Sequence, residues 1–201
     1  MKIMTPILIT AVILMGGCDV FSPNETVEGT GPLVSRDISV SAFTKIASSG
    51  IANVNIVESD SQAVTFTAQS EILDVMTYKV TSGTLILSFE EDTNIKTSKD
   101  ITIDIQGPEI DYIDAEGTGD WTLAGSLKEN FYIGLTGTGD VHAYDQEITN
   151  CEINSTGTGS IWIRVADQLD IELTGTGNVY YKGRPIIDAD ITGTGNLISQ
   201  N

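Results

Sequence analysis

The tripeptide Gly-Thr-Gly recurs five times in the second half of the chain, at residues 117–119, 137–139, 157–159, 175–177 and 193–195. Successive copies are 20, 20, 18 and 18 residues apart. An earlier degenerate copy, Gly50 to Ile56, keeps the apolar spacing of Gly117 to Leu123. A period of about 20 residues is the length of one coil of a β-solenoid, whose coils bury their apolar faces only by stacking. The repeat therefore predicts an all-β solenoid with about 18–20 residues per coil.

Alternate residues around the two glycines of each copy are apolar or small. In the third copy they are Cys151, Ile153, Ser155, Gly157, Gly159, Ile161, Ile163 and Val165. Because side chains of a strand alternate between its faces, this set is predicted to face inward. The glycines then either point inward or mark a corner where the backbone passes close to its neighbour. On the inward register, Cys151 is interpreted as a packed core thiol rather than a reactive one.

The N-terminus, up to Gly17, forms a separate segment. Lys2 precedes an apolar run from Ile7 to Met15, and Gly16-Gly17-Cys18 follows. A transmembrane helix needs ~20 apolar residues, so the run favours an export signal over a membrane span. The pattern resembles a bacterial lipobox, which predicts lipidation of Cys18 and attachment to a membrane of the cell envelope, on the periplasmic or the outer surface. An ordinary signal peptide with a chance cysteine is the alternative.

The rest of the chain divides into a lead-in and one long domain. Asp19 to Glu28 contains turn formers without a sustained period, which is typical of a tether. From Arg36 onward, short runs such as Ile101 to Ile105 alternate apolar and polar residues, as strands with one buried face do. Only Ser70 to Tyr78 is compatible with a helical turn. We therefore predict a signal peptide at 1–17, a tether and lead-in at 18–34, and a solenoid domain at 35–201.

The charge of the chain excludes several classes of function. Asp and Glu total 28 against 10 Lys and Arg, for a formal net charge of −18. So few cations cannot neutralise a run of phosphates, so no nucleic-acid partner is expected, and electrostatic docking on anionic lipid is equally disfavoured. The two cysteines exclude a disulfide framework and a Cys-rich zinc site. The single histidine, His142, is the only residue on which a Ser-His-Asp triad could be built.

Outward residues of successive coils should form vertical columns, because neighbouring strands lie ~4.8 Å apart. One column holds the threonine of every Gly-Thr-Gly, and the next holds Asp120, Asp140, Ser160, Asn178 and Asn196. Such Thr and Asn ladders mainly support a stacked sheet through side-chain hydrogen bonds. We interpret both columns as structural and treat ligand binding there as the alternative.

The following column contains three aromatic-type rings, His142, Trp162 and Tyr180, between Thr122 and Ile198. These three residues, called the aromatic strip below, are predicted to form a flat exposed surface. Such a surface suits stacking on sugar rings or on the apolar surface of a partner. The alternative is that another strand or the tether covers the strip.

A second candidate site is acidic. Two further columns bring together Glu152, Asn154, Asp170, Glu172, Asp188 and Asp190, called the acidic patch below. Carboxylates ~5–7 Å apart repel one another, and Ca²⁺ would relieve that repulsion, with Asp170, Glu172, Asp188 and Asp190 as candidate ligands. The known calcium motif of solenoids, Gly-Gly-x-Gly-x-Asp, is absent. A solvated acidic face is the alternative, and no other cofactor is expected.

The chain resembles a known family at several positions. Arg36, the segment Ala42-Phe43-Thr44-Lys45-Ile46, Gly50 and the serial Gly-Thr-Gly turns are similar to the GIN head domain of auto-transporter adhesins. The resemblance covers roughly Gly29 to Ser199. It implies an exported or lipid-anchored bacterial protein with a right-handed parallel β-helix, and it brings no catalytic residues.

The sequence therefore predicts a lipid-anchored, non-catalytic module of the bacterial envelope that binds a glycan or a protein partner through the aromatic strip. A structural or assembly subunit, meeting another envelope protein through an exposed edge or acidic face, is a second hypothesis. A polysaccharide-acting enzyme is a third, disfavoured because the outward basic residues of the repeats, Arg164, Lys182 and Arg184, with Lys128 in a turn, form no convergent cleft with the carboxylates.

Overall fold

The computed structural model describes residues 25–107 and 110–201. The predicted signal peptide and Cys18 lie outside these residues. The described residues contain one helix, α1 (Ser70–Val75), at the place where the sequence allows a helical turn. The strands are β1 Glu25–Glu28, β2 Val34–Ile38, β3 Lys45–Gly50, β4 Asn53–Glu58, β5 Ala63–Ala68, β6 Met76–Thr81, β7 Thr84–Phe89, β8 Thr93–Lys96, β9 Thr102–Gly107, β10 Tyr112–Gly117, β11 Trp121–Gly137, β12 Val141–Ser155, β13 Ile161–Gly175, β14 Val179–Lys182, β15 Ile186–Gly193 and β16 Leu197–Ser199.

The fold is all-β. Strands β1 and β8 pair with each other, and the other strands form one curled, half-barrel sheet of 14 strands. Pairing within that sheet is mixed, with both parallel and antiparallel neighbours.

The repeats stack in parallel at the predicted offset. Ile113 pairs with Ile133, and the column continues through Ile153, Ile171 and Ala189, with the same spacing as the Gly-Thr-Gly copies. The degenerate copy takes the neighbouring place on the other side, because Gly50 pairs with Gly117 and Val54 with Trp121. The prediction that residues one period apart become vertical neighbours is confirmed.

Antiparallel pairing interrupts the stack in the first half of the domain. Here β2 pairs antiparallel with β5, β5 with β9, and β6 with β7, so the prediction of parallel pairing from residue 35 onward is wrong for these strands. The β6–β7 hairpin shows the local cause. Its two loop residues, Ser82 and Gly83, have φ of 51° and 75°, the conformation of a tight turn that reverses the chain between antiparallel strands.

The last four residues of the predicted tether, Glu25 to Glu28, form a strand. Glu25–Glu28 pairs in parallel with Thr93–Lys96, and the Lys96 ammonium lies 2.8 Å from the Glu28 carboxylate. The physical reason is Val27, which is partly buried against the core and holds this strand in place.

The inward register forms one continuous core of Ile, Val and Leu. Ile113, Ile133 and Ile163 are fully buried, and Cys151 is 3% exposed. Burial raises the pKa of the Cys151 thiol well above its ordinary value, and the carboxylates of Glu152 and Asp170 raise it further. The thiol is therefore held protonated and unreactive, as predicted.

The glycines form the corner of each coil. A Cβ on Gly137 would lie 2.0 Å from the carbonyl oxygen of Gly117, and one on Gly139 would lie 2.1 Å from that of Gly119. Gly137 also has φ of +139°, a conformation that L side chains rarely adopt. Close backbone approach between coils is therefore the reason for the repeated Gly-Thr-Gly.

Candidate functional site

The column next to the Gly-Thr-Gly corner is a hydrogen-bonded ladder. The backbone N–H of Asp140 donates to the Asp120 carboxylate at 2.9 Å, and that of Ser160 donates to Asp140 at 2.7 Å. The pattern continues with Asn178 N–H to the Ser160 hydroxyl and Asn196 N–H to the Asn178 amide oxygen. Each side chain thus satisfies a backbone donor of the next coil, which supports the structural interpretation of this column.

The aromatic strip is assembled as the repeat predicts. His142 pairs with Trp162, and Trp162 with Tyr180. The ring centroids of His142 and Trp162 are 4.6 Å apart with an interplanar angle of 20°, and those of Trp162 and Tyr180 are 5.0 Å apart at 12°. His142 is exposed, and Trp162 and Tyr180 are half-buried. Within the part of the chain that the structure describes, the strip is therefore open to solvent.

The rings face one another rather than the solvent. Nearly parallel rings with centroids this close overlap face to face, since side-by-side rings would need a larger separation. Both faces of Trp162 are therefore covered, by His142 and by Tyr180. The expectation of a flat surface for sugar stacking is wrong in this respect, because the ladder geometry turns ring edges outward.

Residues beside the strip add a polar and cationic margin. The Lys182 ammonium lies 4.0 Å from the ring centroid of Tyr144. The Tyr144 hydroxyl is buried and has no hydrogen-bond partner among the described residues. Burial raises the pKa of Tyr144, with a smaller contribution from Tyr180. Arg164 lies 3.6 Å from the carboxylate of Glu147.

The acidic patch is also assembled as predicted. Glu152, Asp170 and Asp188 occupy one column, and Asn154, Glu172 and Asp190 the next. Two side-chain amides donate hydrogen bonds to carboxylates of the patch. Asn154 donates to Glu172 at 3.2 Å, and Gln168 donates to Asp170 at 2.9 Å.

The geometry of the acidic patch gives the calcium interpretation no support. Across residues 25–107 and 110–201, no group of three or more His, Cys, Asp or Glu side chains could hold a metal ion. Calcium binding by Asp170, Glu172, Asp188 and Asp190 and the solvated acidic face both stay predictions.

Sequence reasoning missed an aromatic pair in the same column as Glu152. Tyr112 and Tyr132 stack with centroids 4.6 Å apart and an interplanar angle of 8°, and the Lys45 ammonium lies 5.5 Å from the Tyr112 ring. Both tyrosines stand five residues before the first glycine of their repeat, as Glu152 does. Extending the acidic column to the two earlier repeats would have found them.

A carboxylate at the end of β4 was also missed. Glu58 accepts hydrogen bonds from the Ser126 N–H at 2.6 Å and from the Ser126 hydroxyl, and its carboxylate is 3.7 Å from Lys128. The side-chain and backbone bonds from Ser126 lower the pKa of Glu58, and Lys128 adds to the effect. These contacts join β4 to the segment of β11 where its register with β12 shifts, so their role is structural.

Comparison with known proteins identifies relatives of known fold. A family model described as "putative auto-transporter adhesin, head GIN domain" matches residues 42–131 and 114–185. A putative adhesin from Bacteroides fragilis is 20% identical, with a TM-score of 0.61 over 86% of this chain and 99% of its own. A putative lipid binding protein from Parabacteroides distasonis is 16% identical, with a TM-score of 0.50 over 88% and 100%. No curated protein matches the sequence.

Neither the family description nor the names of these two structures denotes an enzyme. Among the described residues, no helix has the length and apolar character needed to cross a membrane.

Proposed function

Because the chain belongs to the family of auto-transporter adhesin head GIN domains, we propose that it is a non-catalytic, adhesin-like module of the bacterial cell envelope that binds glycans. In this proposal Cys18 carries the lipid that holds the domain at a membrane, as the Gly16-Gly17-Cys18 pattern suggests.

The winding of the repeats is that of a right-handed parallel β-helix. The parallel register of β10 to β13 supports it.

The observation that carries the proposal is the aromatic strip, whose ring edges face outward from the stack of strands. The edge of an aromatic ring is its electropositive part. The strip also carries the indole N–H of Trp162, the imidazole of His142 and the hydroxyl of Tyr180, which accepts a hydrogen bond from the Asn178 amide at 3.3 Å and keeps its own proton to donate. A row of donors of this kind suits ligands rich in oxygen, such as the hydroxyl-bearing rings of glycans.

The test separates hydrogen bonding from stacking. Trp162→Phe with Tyr180→Phe removes the indole N–H and the phenol hydroxyl while keeping the stacked rings. We expect the double variant to bind at least tenfold more weakly to a glycan array or to purified cell-wall material. Tyr78→Phe is the matched control, because Tyr78 is an exposed tyrosine outside the strip. Equal retention of wild type and the double variant would reject glycan binding by the strip.

The lipid anchor is tested separately. Cells fed a labelled fatty acid should label the wild-type protein and not the Cys18→Ser variant, and the variant should leave the membrane fraction. Labelling of both proteins alike would contradict acylation at Cys18.

A specific observation favours an assembly role as a second candidate. All eight residues of β15 are exposed, including Ile186 at 78%, and among the described residues β15 pairs only with β13. A strand with one unpaired edge and exposed isoleucines is a ready surface for association. Crosslinking in intact cells should then yield a product that Ile187→Lys with Ile191→Lys abolishes. A wild-type protein that stays uncrosslinked would reject this role.

A further inference from the structure

We propose a second binding site, beyond the function proposed above, in a groove lined by Tyr112, Tyr132, Glu152 and Asp170, and we infer that it takes a sugar carrying a free amino group. The groove lies before the Gly-Thr-Gly corner of each coil, whereas the aromatic strip lies after it. The two surfaces therefore share no residue.

The groove is built by one column of outward side chains. Lys45 pairs with Tyr112, Tyr112 with Tyr132, Tyr132 with Glu152, and Glu152 with Asp170. Along the axis of the stack, this column of side chains therefore runs from an ammonium group, past two phenol rings, to two carboxylates. The free volume over this column is about 430 Å³, which is within the range of small-molecule sites.

The two rings leave one face available. Tyr112 and Tyr132 cover each other, and Lys45 already takes the outer side of Tyr112 with its ammonium 5.5 Å from the ring centroid. The outer side of Tyr132 is directed to the next coil, where the paired residue is Glu152 and not another ring. A ligand ammonium between Tyr132 and Glu152 would contact a ring face and a carboxylate together, as Lys45 contacts Tyr112.

The surroundings of Tyr132 are electronegative. Burial raises the pKa of Tyr132, and neighbouring Tyr112 and the carboxylates of Asp114 and Glu152 raise it further. Among the described residues, the groove is lined by three carboxylates, Asp111, Glu152 and Asp170, against one lysine. It continues into a second space of about 320 Å³ lined by acidic patch residues. This balance attracts a cation and repels uronic acids.

The other lining groups suit a polyhydroxylated ligand. Asn130, Asn150 and Gln168 form an amide column beside the tyrosines, with the Gln168 amide donating to the Asp170 carboxylate at 2.9 Å. Asn150 donates to Asn130 at 3.2 Å, which leaves further donors and acceptors of both amides for a ligand. Amides and carboxylates next to an aromatic ring provide hydrogen bonds for sugar hydroxyls and an apolar contact for the ring carbons. Together these features select an amino sugar over a simple cation.

The experiment is calorimetric titration at pH 6 with three oligosaccharides of equal length. The oligosaccharides are a glucosamine tetramer, its fully N-acetylated form and a galacturonate tetramer, and the linear polyamine spermine is titrated beside them. We expect the glucosamine tetramer to bind at least tenfold more tightly than the acetylated form, and the galacturonate tetramer not to bind. Asp170→Asn and Tyr132→Ala should each weaken the glucosamine tetramer about tenfold. Asp104→Asn, an exposed carboxylate in the column of the aromatic strip, is the control.

Several outcomes overturn the proposal. These are no binding of the glucosamine tetramer, equal binding of the acetylated form, equal binding of the linear polyamine spermine, or no effect of Asp170→Asn. Because Asp170 is only half-buried, its variant stays informative if Tyr132→Ala fails to fold. The Trp162→Phe, Tyr180→Phe variant should keep the tenfold preference for the glucosamine tetramer over its acetylated form even where its total glycan binding falls, so failure of the strip and failure of the groove remain distinguishable.

Discussion

At each corner of the stack, the space that a side chain would occupy is filled by the backbone of the preceding coil. The Cβ of an alanine at residue 137 would lie 2.0 Å from the Gly117 carbonyl oxygen, a separation that no relaxation of a side chain can relieve. The adjacent coil would have to move, and it is fixed by its own hydrogen bonds. The requirement for glycine is therefore steric as well as conformational.

Gly137→Ala should lower the free energy of unfolding by more than ~3 kcal/mol or prevent folding. Gly83→Ala is the control, because Gly83 has φ of +75° and no atom within 4 Å of an added Cβ. It should cost only ~1 kcal/mol, from backbone strain. Urea unfolding followed by circular dichroism measures both. Equal losses would contradict the steric explanation.

Glu58 is a second residue whose contribution to the stability of the protein can be measured separately. Its pKa is lower in the folded protein than the ordinary value of 4.5. A carboxylate with a depressed folded pKa stabilises the protein above its unfolded pKa, and this stabilisation is lost as the pH falls through the folded pKa.

Glu58→Gln should therefore destabilise the protein by ~1 kcal/mol at pH 7, through loss of the charged hydrogen bonds to Ser126, which solvent partly screens. The difference from wild type should shrink as the pH falls below 4.5. Urea titrations at pH 7 and pH 3.5 measure it, with the exposed Glu116→Gln as control. A difference that is the same at both pH values would show that the charge of Glu58 is not involved.

At the scale of elements, the aromatic strip links three strands. His142 lies in β12, Trp162 in β13 and Tyr180 in β14, so each ring contact joins successive coils. Aromatic pairs contribute ~0.5–1.5 kcal/mol beyond the area they bury. The strip should therefore stabilise the stack in addition to any role in binding.

A double-mutant cycle on Trp162→Ala and Tyr180→Ala should give a coupling free energy of ~0.5–1.5 kcal/mol. The same cycle with Trp162→Ala and Tyr78→Ala should be additive, because Tyr78 contacts Phe66 and not the strip. Chemical denaturation of the four proteins in each cycle provides the values. Additivity in the first cycle would mean that the rings do not interact in solution.

The repeat predicted which elements stack, but not how their rings or turns are oriented. Periodicity places His142, Trp162 and Tyr180 in one column, yet ring tilt depends on χ angles that the sequence pattern does not determine. The antiparallel strands β5 to β7 have no repeat from which their register could be inferred. Ser82-Gly83 was the available signal for the β6–β7 hairpin, since a Gly-containing pair between two alternating runs favours a two-residue turn.

At the scale of the whole molecule, parallel stacking places residues that are far apart in the sequence next to each other on the surface. Lys45 and Tyr112 are more than three repeat periods apart in sequence and adjacent in register. The Lys45 end of the groove was predictable only through the degenerate copy, because Lys45 stands five residues before Gly50 as Tyr112 does before Gly117. The acidic column was predictable because its members all lie within the regular repeats.

The stacking itself can be tested directly by disulfide formation between coils. The hydroxyls of Thr136 and Thr156 are 3.1 Å apart, so cysteines at these positions lie within the reach of a disulfide. Cysteines at Thr136 and Thr174 would be two coils, ~10 Å, apart and beyond that reach. A Cys18→Ser background leaves Cys151 as the one native cysteine of the sequence, and Cys151 is buried.

The measurement is the yield of intramolecular disulfide after mild oxidation of Thr136→Cys, Thr156→Cys, determined by mass spectrometry. Parallel coils in the observed register predict near-complete crosslinking of this pair and little crosslinking of Thr136→Cys, Thr174→Cys. A Thr136→Cys, Thr156→Cys protein that stays reduced, while the Thr174→Cys pair crosslinks, would contradict the stacking on which both binding surfaces depend.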